Sequence, residues 1–186
     1  MRFAWLIAVL LTSVLAGCLP INRYHGITKE DRPRYDVLLN DPQAMRSFVA
    51  DTTLKSFDHL YGTQIEYHSA DGRVWLVFPG NPRTVHGYWK IKGEGYDAKL
   101  CYRYPYGRDA ITGNSGVNWL CPSIRYFLKS DELVDGDVMG LRQRGARPYP
   151  YILPEDQDVS ISEMMRAFGR GPLTARNKTF ARSASQ

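Results

Sequence analysis

The sequence predicts an α+β fold, mainly β: an antiparallel meander or partial barrel with one N-terminal amphipathic helix and a short C-terminal helix. Three observations predict it. Apolar and polar residues alternate with period two through the middle of the chain, and a strand sends successive side chains to opposite faces. Turn residues punctuate that alternation at Asp71-Gly72, Pro79-Gly80-Asn81-Pro82 and Gly93-Glu94-Gly95. The 12 Tyr and 4 Trp of this 186-residue chain suit a half-buried sheet, on which flat amphipathic rings pack.

The elements follow in chain order. Asp41-Pro42 is a helix start, with Asp as the cap and Pro at the first helical position, and Met45, Phe48, Val49, Leu54 and Phe57 continue at near-helical spacing. One amphipathic helix is expected over about 42–57. In Thr63 to Ser69, Ile65 and Tyr67 alternate with polar neighbours, Asp71-Gly72 turns the chain, and Arg73 to Phe78 returns as a second strand. After the Pro79–Pro82 turn, Val85, Gly87, Trp89 and Ile91 fall on one face of a third strand, and Thr84, His86, Tyr88 and Lys90 on the other. Tyr96, Ala98, Leu100, Tyr102 and Tyr104 alternate through a fourth, with Cys101 on its opposite face. Val117 to Cys121 and Ile124 to Leu128 read as further strands. Arg147 to Tyr151 is extended by its prolines. Ser160-Ile161-Ser162-Glu163 has capping-box spacing, which predicts a short helix over 161–168 ending near Gly169.

Ahead of these elements, Arg2 and the run Phe3 to Leu11 form a short charged region and an apolar region. The run falls short of the roughly 20 apolar residues of a membrane-spanning helix. It closes on Leu15-Ala16-Gly17-Cys18, which resembles a bacterial lipobox. The resemblance implies cleavage after Gly17, a diacylglyceryl group on the Cys18 thiol and acylation of the new amino terminus, so that membrane lipid is a partner through Cys18. Two or more acyl chains bury enough methylenes, at about 0.8 kcal/mol each, for persistent attachment. Leu19 and Pro20 stand where some enteric lipoproteins carry an Asp for inner-membrane retention, which tilts the expectation towards the periplasmic face of the outer membrane. The expected organisation is a signal peptide over 1–17, a lipid-anchored tether over 18–40, a single β-rich domain over 41–168, and a basic, disordered tail over 169–186.

Of the 3 cysteines, Cys101 and Cys121 remain after Cys18, and an even pair in an exported domain reads as a disulfide. The formal charge of +5 is weighted to the end of the chain, where Arg166, Arg170, Arg176, Lys178 and Arg182 follow Glu163 with no acid among them. Such a tail suits anionic head groups or a polyanionic wall polymer. Nucleic acid is not an expected partner of an exported chain.

No catalytic constellation, metal site or cofactor is predicted. The 4 histidines, His25, His59, His68 and His86, have no ligand spacing along one element, although adjacent strands offer a way to bring His68, His86 and Glu66 together. The serines lack a nucleophile elbow, and Asp135-Gly136-Asp137 lacks the later ligands of a calcium loop. Trp75, Trp89, Tyr102, Tyr104 and Trp119 are the candidate ligand-surface aromatics; turned inward they are core, and turned outward they stack on sugars or hold an apolar ligand. The set Gly87-Tyr88-Trp89, Cys101 and Trp119-Leu120-Cys121 resembles small periplasmic β-domain families of unknown function in Gram-negative bacteria, over roughly residues 60–130. That resemblance brings no active site with it. The reading that follows is a lipid-anchored bacterial envelope protein, leaning away from an enzyme, whose domain is a non-catalytic binding or interaction module for an envelope protein, glycan or apolar ligand. A structural envelope protein and a cell-wall hydrolase are the alternatives.

Overall fold

The Asp41 side chain accepts hydrogen bonds from the backbone N–H groups of Gln43 at 2.8 Å and Ala44 at 3.0 Å, satisfying two of the donors that every helix start leaves unpaired. In the computed structural model, which describes residues 24, 26–81, 83–107, 115–144 and 153–181, this cap opens helix α2 (Pro42–Val49), with α1 (Arg32–Asn40) immediately before it. Helix α1 lies where a tether was expected: Tyr35, Leu38 and Leu39 are buried in the core, so the folded unit begins well before residue 41. The helix expected over 42–57 also divides. The chain leaves the helical path at Ala50, which is extended, Asp51 turns it with a positive φ of 53°, and the β-branched pair Thr52-Thr53 starts strand β1 (Thr52–Asp58). Leu54 and Phe57 fit helical spacing by coincidence and sit on opposite faces of a strand.

Five more strands complete one antiparallel sheet: β2 (Gly62–His68), β3 (Arg73–Val77), β4 (Val85–Lys92), β5 (Lys99–Arg103) and β6 (Glu132–Asp135). The order is β5-β4-β3-β2-β1-β6, a curled half-barrel in which β2 to β5 form the expected meander, β1 takes residues expected to be helical, and β6 adds beside β1. Register follows the predicted faces. Tyr67 pairs with Trp75, Trp75 with His86, and Trp89 with Tyr102. A 3-10 turn (Gly95–Asp97) joins β4 to β5.

One face of the sheet is covered along its length and the other over β1 to β3 and β6, each by its own core, while the outer face of β4 and β5 is left exposed. On one face α1, α2 and α3 (Ile124–Leu128) bring Tyr35, Phe48, Ile124, Phe127 and Leu128 against Leu54, Val74, Trp89, Leu100 and Leu133. On the other, α4 (Leu141–Arg144) and α5 (Ile161–Ala167) bring Leu141, Ile161, Met164 and Met165 against Ile65, Tyr67, Trp75 and Val77. Helix α3 replaces an expected strand: Ile124, Phe127 and Leu128 are apolar at helical spacing, and the Ser123 hydroxyl caps the turn by accepting from Arg125 N–H. Helix α5 carries the expected capping box, with Ser160 and Glu163 exchanging side-chain and backbone hydrogen bonds.

Both sheet edges are occupied, which removes the unpaired backbone groups that template aggregation. The backbone from Gly116 to Ser123 runs beside β5 through Tyr102↔Leu120 and Lys99↔Ser123 bridges. At the other edge Val134 pairs with Asn177. The expectation of a disordered tail over 169–186 therefore fails for residues up to 181: Phe180 is 3% exposed and Lys178 5%, because Phe180 fills the space between Tyr35 and Phe48. Cys18 and the predicted leader lie outside the described residues, as do Arg147 to Tyr151.

Candidate functional site

The histidine grouping considered from sequence does not form. His68 and His86 lie on opposite faces, since His68 pairs with Val74 and His86 with Trp75, adjacent residues of β3. Instead His68 meets Glu66, Tyr102 and Tyr104 beneath α3. Tyr102 Oη lies 3.1 Å from His68 Nε2, Glu66 Oε2 lies 3.4 Å from the same nitrogen, and Tyr104 Oη donates to Glu66 Oε1 at 3.0 Å. Burial, reinforced by the negative charge of Glu66, holds both tyrosine hydroxyls protonated well above the usual phenol range. The His68 side chain is fully shielded and that of Glu66 is 14% exposed. This network ties β2 to β5 across the two strands between them.

Of the candidate surface aromatics, Trp75 and Trp89 are core, at 4% and 2% exposed; Trp75 stacks on Tyr67, and Trp89 donates through Nε1 to Ser69 O at 2.9 Å. Tyr102 and Tyr104 are partly buried and stack at 7° to one another. Trp119 behaves differently. It is partly exposed on the outer face of the β4–β5 hairpin, with Lys90 Nζ 4.1 Å and the Arg103 guanidinium 5.2 Å from its ring centroid. Arg103 also lies 5.2 Å from the Tyr88 centroid, so one guanidinium joins two rings of the surface.

The register explains what else is there. Tyr88 faces Arg103, Lys90 faces Cys101 and Lys92 faces Lys99, so these side chains share one face of the hairpin by the period of the pleat. The result is a strip with Tyr88 and Trp119 as its aromatic surfaces and Lys90, Lys92, Lys99 and Arg103 as its cations, with no acid on that face of either strand. Like charges placed opposite each other in a sheet repel, so Lys92 across from Lys99 contributes nothing to folding. The strip continues into a depression of 310 Å³ lined by Arg73, Trp75, His86, Tyr88, Pro105 and Tyr106. Tyr106 at its rim is 95% exposed and Tyr88 45%.

The expected disulfide is present and bonds Cys101 to Cys121. Cys121 sits opposite Cys101 because Leu120 pairs with Tyr102, and the bond fixes the segment that carries Trp119 beside Arg103. The sequence reading placed His86, Tyr88 and Lys90 on one face but did not add Lys92, Lys99 and Arg103; the signal was the alternation of Lys90-Ile91-Lys92 and Lys99-Leu100-Cys101-Tyr102-Arg103 across a single short turn. Asp135-Gly136-Asp137 is a turn whose Asp137 carboxylate accepts from Leu141 and Arg142 N–H at the start of α4, and among the described residues no group of acids, histidines and cysteines is arranged to hold a metal. Compared with protein families, with characterised proteins and with solved structures, the chain matches none.

Proposed function

We propose that this chain is a lipid-anchored bacterial envelope protein, attached through Cys18 at the periplasmic face of the outer membrane, whose domain is a non-catalytic module that binds an acidic glycan of the envelope. The observation that carries the binding reading is the cationic and aromatic strip of the β4–β5 hairpin. Exposed aromatic faces stack on sugar rings, lysines and arginines meet carboxylates, and the depression beside Tyr106 gives the surface a concave end. Lys92 and Lys99 stand across from each other with no acid on that face of either strand, and carboxylates of a partner would relieve that repulsion. Peptidoglycan, with its sugar backbone and carboxylate-bearing peptides, has the matching chemistry. The buried Glu66–His68–Tyr102–Tyr104 network supports assembly of the sheet rather than a reaction, which favours a binder over a hydrolase.

Incubation of the protein with purified peptidoglycan, followed by sedimentation and analysis of released fragments, tests this. Co-sedimentation without release is expected, weakening with salt and lost on combined Lys90→Gln and Arg103→Gln substitution. Release abolished by a single carboxylate substitution would establish a hydrolase, and failure to sediment would favour a structural role. The anchor has its own test: Cys18→Ser should abolish incorporation of labelled fatty acid and release the protein from the membrane fraction.

A further inference from the structure

A second cationic feature lies elsewhere on the molecule, where the C-terminal segment crosses α1. Arg34, Phe48, Arg176, Asn177 and Lys178 line a cavity of 360 Å³. The three cations come from two distant parts of the chain and are held in different ways. The Arg34 guanidinium lies against two neighbouring aromatic rings, 5.0 Å from the Phe48 centroid and 4.5 Å from that of Phe180, and its Nη2 donates to Lys178 O at 2.9 Å. Among the described residues it makes no ion pair. Lys178 Nζ is bound to Thr52 Oγ1 at 2.8 Å and Asp135 Oδ1 at 2.9 Å, and Arg176 Nε to Asp135 Oδ2 at 2.6 Å. Lys178 and Arg176 thus share the Asp135 carboxylate, and Arg34 is not paired to it.

We infer that the cavity lined by Arg34, Arg176 and Lys178 is a binding site for a phosphate group. Each guanidinium keeps N–H donors beyond those engaged by Lys178 O and Asp135, in the forked geometry that matches phosphate oxygens. A tetrahedral anion presents oxygens in several directions at once, which suits cations converging from α1 and from the C-terminal segment better than a planar carboxylate does. The two rings and the hydrogen bond to Lys178 O hold Arg34 in place before any ligand arrives, so less side-chain entropy is lost on binding. The phosphate group belongs either to a lipid head group or to a soluble phosphate. Tyr24, at the start of the described chain, packs on Tyr35, and Tyr35 on Phe180, so the N-terminal side of the domain and this cavity share one aromatic cluster.

The site is separate from the β4–β5 strip, and the two stand or fall independently. The test is titration of inorganic phosphate into the full chain in neutral detergent, at fixed ionic strength against chloride, followed by calorimetry. Saturable binding is expected, weakened about tenfold by Arg176→Gln, the loss of one charge-assisted contact, and by a similar factor in Arg34→Lys. Arg176 is 77% exposed, so its substitution reports on binding even where Arg34→Lys disturbs packing. In a second arm, vesicles of phosphatidylglycerol are compared with vesicles of phosphatidylcholine. A preference for the former that Arg176→Gln removes assigns the phosphate to a lipid head group; phosphate binding without that preference assigns it to a soluble ligand, and either supports the site. No saturable phosphate binding, or binding unchanged in Arg176→Gln, overturns it.

Discussion

Tyr104 reaches across the sheet to Glu66, its hydroxyl donating to Oε1 at 3.0 Å, and it does so over Gly87. A methyl group at position 87 would stand 2.5 Å from both Arg103 O and the Tyr104 ring, closer than real contacts allow, and one of those atoms is backbone. Gly87→Ala should therefore destabilise the domain by about 2 kcal/mol through overpacking, whereas Tyr104→Phe, which removes one hydrogen bond, should cost about 1 kcal/mol. Urea unfolding of both variants checks the order; an equal loss would mean that the close approach over Gly87 is unimportant.

The same network predicts alkaline sensitivity. Burial, then the Glu66 charge, raises the Tyr102 and Tyr104 hydroxyls well above the ordinary value of 10.0. In the unfolded chain these phenols ionise near 10, whereas the folded protein keeps them protonated, so their contribution is complete below the unfolded value and is lost as pH rises from there towards the folded values. Melting temperature should fall steeply above pH 10, and the combined Tyr102→Phe and Tyr104→Phe variant should fall less steeply.

Asp135 gives the opposite dependence. Burial alone would raise its carboxyl, but hydrogen bonds from Arg176 and Lys178 outweigh that and hold it below the ordinary value of 3.8. Stability from this group is present above the unfolded value and disappears as pH falls through the lowered folded one. Unfolding between about pH 5 and pH 2, compared between the native chain and Asp135→Asn, should show a shallower acid loss in the variant.

Reduction of the Cys101–Cys121 bond opens a loop with a sequence separation of 20. In the chain-entropy account this lowers stability by roughly 3 kcal/mol. Because the bond also fixes the segment bearing Trp119, the reduced protein should lose glycan affinity at temperatures where circular dichroism still reports a folded sheet. Affinity that survives reduction would separate Trp119 from the binding surface.

Ser160→Ala removes the hydroxyl that accepts from Glu163 N–H and should cost about 1 kcal/mol, the usual worth of such a cap. Ser160→Asp should restore most of it, as read from denaturant midpoints.

The meander, its turns, the α5 capping box and the cysteine pairing were legible in the sequence because each is written locally, in period-two alternation, in Asp-Gly and Pro-Gly turns, in a four-residue cap and in the count of thiols. The same local reading misassigned Ile124–Leu128 and the stretch after Asp51. Short apolar runs satisfy either period, and there the Ser123 cap and the pairing of Leu54 with Leu133 decide. Nothing local placed β6 beside β1 or brought Phe180 between Tyr35 and Phe48; those are contacts between distant parts of the chain, formed because each buries apolar surface that the other leaves open. Both candidate surfaces are products of that assembly. Sequence supplied the lysines, arginines and aromatics, but pairing register alone put Lys92 across from Lys99, and the docking of the C-terminal segment on α1 alone brought Arg34 beside Arg176 and Lys178.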